Sequence, residues 1–159
     1  MSDRSEAVFR LRLADGFLGE AREDVGLERW RSCVDNSQLA VENAAKAVLA
    51  LLGPTSRTHH PGGLLRESLD SGAFADWDRA AIEKIVHYAE ILGPDIHVRS
   101  DYGDEAGGLT PWELFGAVDA REALTWADDA VNQARRLVAP ESADPQADPL
   151  DAPATPDPE

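Results

Sequence analysis

Apolar side chains recur at helical spacing along almost all of residues 5–138, and no stretch alternates apolar with polar in a run rich in β-branched residues. A period near 3.6 buries one stripe of a helix, whereas a half-buried strand needs a period of two. The chain is therefore restricted to helices packed on helices. At 159 residues it has the size of one domain. We expect an all-α, up-and-down bundle of about five helices.

Phe9, Leu13 and Phe17, continued by Leu18, Ala21 and Val25, predict a first helix from about Ser5 to Asp24. Trp30, Val34, Val41, Ala44, Val48 and Leu51 predict a second from about Glu28 to Leu52, ended by Gly53-Pro54, since proline cannot continue a helix. A short helix is expected from Pro61 to Leu69. The next opens near Asp76 and closes at Gly93-Pro94, with Trp77, Ala81, Ile85, Tyr88, Ala89 and Leu92 inward. The last starts at Asp119, where Glu122 completes a capping box, and carries Ala120, Leu124, Ala127, Val131, Ala134 and Val138. Thr110-Pro111-Trp112-Glu113 predicts a brief helical turn before it.

Residues 140–159 differ in kind. They hold six of the ten prolines, six carboxylates and no cation, with Leu150 the one large apolar side chain. Such a segment cannot bury enough surface to offset its ordering entropy. The expected division is a helical bundle over 1–139 and a disordered acidic tail over 140–159.

Charge and cysteine content narrow the functions available. Thirty carboxylates face fifteen Lys and Arg, a formal net charge of −15. A broad, charge-driven nucleic-acid or anionic-membrane binder is excluded, because this surface repels a phosphate backbone except where cations gather locally. One cysteine, Cys33, forbids an intrachain disulfide and a thiolate metal cluster, and reads as a buried, inert thiol. MSDRSEAVFRLRL lacks the pattern of a signal peptide and no apolar run spans a bilayer, so we expect a cytoplasmic protein without a membrane partner.

Chemistry concentrates in Gly93–Pro111, a segment with four glycines and no apolar stripe, which reads as a long loop. His97, Arg99, Asp101 and Tyr102 fall within it. An arginine holds a phosphate or carboxylate bidentately, and a tyrosine stacks on a base or donates a proton. The structural alternative is that Arg99 bridges Asp101 or Asp104 to order the loop while Tyr102 packs on the bundle. His59 and His60 follow Arg57 and precede the short helix; one of them either packs at that helix start or helps Arg57 hold an anion. Glu83, His87 and Glu90 share a helical face, but as a single His-x-x-Glu without a complementary helix they read as a solvated face. No nucleophile elbow or glycine-rich phosphate loop occurs, and neither metal nor cofactor is expected.

Four features in order resemble the HEPN domains, helical domains named after higher eukaryotes and prokaryotes. These are Ser37-Gln38-Leu39-Ala40-Val41-Glu42-Asn43-Ala44-Ala45-Lys46-Ala47-Val48-Leu49-Ala50-Leu51-Leu52, Arg57-Thr58-His59, Val98-Arg99-Ser100-Asp101-Tyr102 and Asp119-Ala120-Arg121-Glu122-Ala123. The resemblance spans about Ala14 to Val138. It implies a bundle that commonly forms a homodimer, often encoded beside a minimal nucleotidyltransferase with which it acts as toxin and antitoxin. Some members are metal-independent ribonucleases with an Arg-x(4–6)-His motif paired across the dimer, and others bind nucleotides.

After Arg99 the histidine positions are Asp104, Glu105 and Ala106, so that motif is not present. The sequence supports a nucleotide- or partner-binding module, with Arg99 on a phosphate or carboxylate, Tyr102 stacking, Asp101 orienting the arginine, and Arg57 with His59 or His60 completing the pocket. The alternatives are a ribonuclease that assembles Arg99 and His97 at a dimer seam, acting on RNA, and a purely structural interaction protein.

Overall fold

The computed structural model describes residues 3–54, 58 and 60–139. Among these residues seven helical segments follow in order: α1 (Asp3–Gly26), α2 (Trp30–Leu49, running into a 3-10 turn at Ala50–Leu52), α3 (Pro61–Asp70), α4 (Arg79–Ile91), α5 (Pro94–Tyr102), α6 (Pro111–Leu114, a single turn) and α7 (Ala117–Val138). Among the described residues there is no strand, and the expected all-helical bundle is what forms. No described helix is long and apolar enough to cross a membrane. The acidic tail, residues 140–159, lies outside the described residues.

The centre is α2, packed against α1, α3, α4, α5 and α7. α2 packs on an alanine-rich α7; Ala40, Ala44 and Ala47 of the one and Ala120, Ala127, Ala130 and Ala134 of the other are all fully buried. Small side chains let helix backbones approach closely, while Val34, Val41, Val48, Ile82, Ile85 and Val131 fill the remaining volume. Cys33 is buried, its thiol donating to the Ala120 carbonyl at 3.4 Å, and burial pushes its pKa up, as an inert thiol requires.

Several boundaries and one helix phase differ from expectation. α1 buries Ala7, Leu11, Ala14, Leu18 and Ala21, with Phe17 and Val25 packed against that core, so the expected stripe holds from Phe17 to Val25 and misses at its start; Phe9 is 45% exposed, its ring beside the Arg10 guanidinium. The helix carries two adjacent apolar stripes, and the one holding alanines is the one that fits against α2. α4 starts at Arg79, because the Asp78 carboxylate accepts the Ala81 N–H at 3.1 Å and caps it there. Trp77 thus precedes the helix and packs edge-on against the buried Phe74.

α7 begins at Ala117, two residues earlier than expected. Asp119 is not the cap but the third residue in, reaching back to accept the Gly116 N–H at 2.8 Å. The turn at Thr110–Glu113 forms as expected, with the Glu113 carboxylate accepting the Thr110 N–H at 2.9 Å and its hydroxyl at 2.7 Å. Those bonds, the backbone one foremost, hold Glu113 below the usual carboxylate range.

The largest correction concerns Gly93–Pro111, which is not one long loop. Its first half is α5, started by Pro94 in the first turn, where a missing N–H costs nothing. The second half is a tight turn closed by paired backbone bonds between Asp104 and Leu109, at 2.8 and 2.9 Å. α5 shows no apolar stripe because the residue it buries is polar: Ser100 is fully enclosed.

A polar network ties α4 to α7. The Tyr88 hydroxyl donates to Asp129 Oδ2 at 2.6 Å, with Lys84 Nζ at 3.3 Å from the same oxygen and Gln133 Nε2 donating to Oδ1 at 2.8 Å. The bond to Asp129 pushes the Tyr88 pKa up from 10 to about 12. Burial alone would raise Asp129, but the bonds from Tyr88, Gln133 and Lys84 outweigh it and hold the carboxyl low. A raised tyrosine pKa contributes stability that is complete below pH 10 and lost as pH rises through about 12. The depressed Asp129 acts at the opposite end, its share disappearing as pH falls below the ordinary carboxylate value. Thermal melts should therefore show an alkaline decline that is shallower in Tyr88→Phe; identical slopes in both proteins would contradict the network's role.

Candidate functional site

The site is built where α5 lies across the first half of α2. Arg31 and Asp35 stand four apart on α2, and His97, Ser100 and Asp101 stand three and four apart on α5, so each set shares one helix face. The two faces meet. Arg31 Nη1 donates to the Ser100 carbonyl at 2.8 Å and lies 3.4 Å from Asp101 Oδ1. Asp35 Oδ1 accepts from the Ser100 hydroxyl at 3.0 Å and lies 3.1 Å from His97 Nδ1, while His97 Nε2 is 3.7 Å from Asp101 Oδ2. Ser100 is thereby satisfied on both its hydroxyl and its carbonyl, which is what permits a serine to be sealed at this contact.

Locking the inner face fixes what the outer face presents. Arg99 and Tyr102, three apart on α5, face solvent; Tyr102 is 71% exposed, and the Arg99 guanidinium has no ion-pair or hydrogen-bond partner among the described residues. Arg31 also places its guanidinium over the Trp112 ring, 5.8 Å from the centroid, and that ring is 73% exposed. The outer face of α5 thus carries an unengaged arginine fork and a free phenol, and Arg31 backs a separate exposed indole. Chemically it suits an anion, a planar ring or both.

The sequence-predicted residues divide into three groups. Arg99, Tyr102, Asp101 and His97 all lie on α5 but on two faces: Asp101 and His97 meet α2, where Asp101 serves Arg31 and His97 and does not orient Arg99, while Arg99 and Tyr102 face outward. Asp104 is likewise occupied, accepting the Gly107 N–H at 2.9 Å, so the self-bridged loop expected as an alternative does not form through Arg99 among the described residues. His60 stands at the start of α3, where its N–H donates to the Thr58 hydroxyl at 2.9 Å and its side chain does not cap the helix. It lines a separate cavity of about 230 Å³ with Gln38, Glu42 and Glu90, without Arg99 or Tyr102. Arg57 and His59 lie outside the described residues.

On the metal candidate, Glu83 is paired with Arg79 at 2.8 Å and Glu90 takes both arms of Arg66 at 3.1 and 3.2 Å. Among the described residues no group of three His, Cys, Asp or Glu is placed to hold a metal ion.

Sequence reasoning missed Arg31, Asp35 and Trp112. Arg31 and Asp35 look like ordinary flanking charges on α2, and only their four-residue spacing hinted at a shared face. Trp112 sits inside a capping box, where its exposure had no signature.

No curated protein matches the chain. The model of the HEPN domain matches residues 7–140, which takes in every helix of the bundle bar the first turn of α1. A match over that span, on an all-helical body, makes the chain a member of the HEPN domain family, a helical module of the nucleotide-binding and ribonuclease type.

Proposed function

We propose that this chain is a nucleotide- or partner-binding HEPN module, dimeric and cytoplasmic, working with a minimal nucleotidyltransferase in a toxin–antitoxin-like pair. The observation that carries the reading is Arg99: exposed, without a partner among the described residues, and set beside the free Tyr102 on a helix whose inner face is fully engaged. An arginine left unpaired in a chain of net charge −15 is available to an incoming phosphate or carboxylate.

Cleaving RNA needs a group to activate the 2′-hydroxyl and another to stabilise the phosphorane. The positions after Arg99 that would supply a histidine hold Asp104, Glu105 and Ala106. His97 is only two residues from Arg99, so the two side chains do not face one another on the helix. The ribonuclease reading keeps one supporting observation: Asp35 orients the His97 ring at 3.1 Å, as a general base requires, and a second copy of the chain would have to bring the arginine.

Affinity purification of the tagged chain from its source cells tests the proposal. Wild type should retain a nucleotidyltransferase, identified by mass spectrometry, and Arg99→Ala should lose it while its melting temperature stays within about 2 °C, as for an exposed, unpaired side chain. Equal recovery with both proteins would overturn the role of Arg99, and absence of the partner from the wild-type sample would overturn the pairing.

A further inference from the structure

α1 outruns the helix packed beside it. Arg22 pairs with Asp128 and Arg135 with Asp15, so α1 and α7 run antiparallel, and in both pairs the residue numbers total 150. That register sets Arg12 level with Val138, the last residue of α7. Among the described residues, α7 therefore covers none of the α1 turns before Arg12. Arg4, Val8, Leu11, Asp15, Leu18 and Arg22 recur every three or four residues and so share one flank. Asp15 and Arg22 turn that flank toward α7, while at its uncovered end Val8 is 40% exposed and Arg4 is exposed.

Cations gather at this end. From Arg4 to Asp15 and from Asn132 to Ala139, five arginines stand against two carboxylates, in a chain where thirty carboxylates face fifteen Lys and Arg. Those two are already taken: Glu6 lies 3.8 Å from Arg10, and Asp15 holds Arg135. Arg4, Arg12 and Arg136 are exposed, and no ion pair or hydrogen bond engages their guanidinium groups among the described residues. The amino end of α1 adds the positive pole of its dipole.

The sequence that follows α7 has the opposite charge. Residues 140–159 carry six carboxylates and no cation, and open on Pro140, which cannot continue a helix. A chain leaving Ala139 in the direction α7 runs would pass along α1 toward Arg4. From Leu11 to Arg4 is about 10 Å of helix axis. Extended, proline-rich chain advances about 3.1 Å per residue and covers that in three or four residues. Glu141 then falls between Arg12 and Arg4, and Asp144 at the amino end of α1.

We propose that residues 140–146 dock on this uncovered flank of α1, Glu141 and Asp144 meeting Arg4 and Arg12, and that the segment thereby keeps other polyanions from the basic end of the bundle. Charge and proximity hold the contact rather than burial, so salt releases it. It goes beyond the binding reading above and is independent of Arg99. It lies where α1 begins and packs on the 3-10 turn after α2, whereas α5 is held by Arg31 and Asp35 at the start of α2.

The test is paramagnetic broadening of NMR signals in the full chain, from a nitroxide attached through Ala147→Cys; Cys33 is buried and takes no label. Amide signals of residues 4–12 should lose most of their intensity relative to the sample with the nitroxide reduced. They should regain it in Arg4→Gln/Arg12→Gln, in Glu141→Gln/Asp144→Asn, and at about 1 M salt, where screening acts within roughly 3 Å. The second pair alters no residue of the helices, so recovery there is not a defect of the bundle. Broadening unchanged in both pairs is what a tethered but undocked segment gives, and would overturn the proposal. A mixture of nitroxide-bearing chain with isotope-labelled chain lacking the nitroxide should show none. Broadening in that mixture would assign the contact to a second copy and overturn docking within one chain. Inorganic polyphosphate should displace the segment and restore the signals; broadening that survives saturating polyphosphate would overturn the shielding.

Discussion

Gly103→Ala should cost about 2–4 kcal/mol of stability and loosen the corner that follows α5, because backbone and space both demand glycine there. Gly103 sits at φ +79°, ψ −152°, a region that side-chain-bearing residues hardly enter. A Cβ at this position would also lie 2.2 Å from the Leu109 carbonyl oxygen and 3.1 Å from Pro111 Cδ. That carbonyl accepts the Asp104 N–H, one of the two bonds that close the 104–109 turn, so it cannot move aside without opening the turn. Gly108 supplies the control: its φ is +67°, yet nothing lies within 4 Å of a Cβ built there. Gly108→Ala should lose only about 1 kcal/mol, the conformational part alone. In thermal denaturation the first variant should melt on the order of 10 °C below wild type and the second a few degrees below it. Equal losses would show that the close approach to Leu109 is not what fixes the corner.

Ile85→Ala should destabilise the bundle by about 2–5 kcal/mol, the usual cost of a cavity left by a buried aliphatic side chain. Ile85 is fully enclosed on α4, a helix packed against both α2 and α7, so surrounding side chains have little room to collapse into the space. Ile91, six residues further along the helix and 37% exposed, should lose about 1 kcal/mol or less when truncated in the same way. Urea midpoints of the two variants make the comparison directly. A small loss at Ile85 would mean that the packing of α4 against α2 and α7 yields to fill the space.

Both variants bear on what could be read from the chain before its structure. α2, α3, α4 and α7 were legible because each buries a regular apolar stripe, and the Ile85 position on α4 follows from that stripe. α1 was legible as a helix, and in phase from Phe17 to Val25, but not at its start, where the spacing of Phe9 and Leu13 is as regular as that of the alanine-bearing face that packs. α5 was not legible because its inner face is held by hydrogen bonds to Ser100 and by charges, which carry no hydrophobic period.

The candidate site divides along the same line. Arg99 and Tyr102 could be singled out as chemistry-bearing residues in a segment without an apolar stripe, and the structure leaves both at the surface. Their support could not be found, because Arg31 and Asp35 meet α5 across more than sixty residues of sequence, and no local spacing encodes such a meeting. The assignment of Asp101 to Arg99 failed for this reason: neighbours two apart on a helix diverge, and a cation from α2 was already there.

The most direct test of the central claim, a HEPN module that binds without cutting, is incubation of single-stranded RNA with the purified protein in EDTA, beside Arg99→Ala and His97→Ala. The account predicts intact RNA in all three samples. Cleavage by wild type, lost in both variants, would contradict it and make Arg99 and His97 a ribonuclease pair.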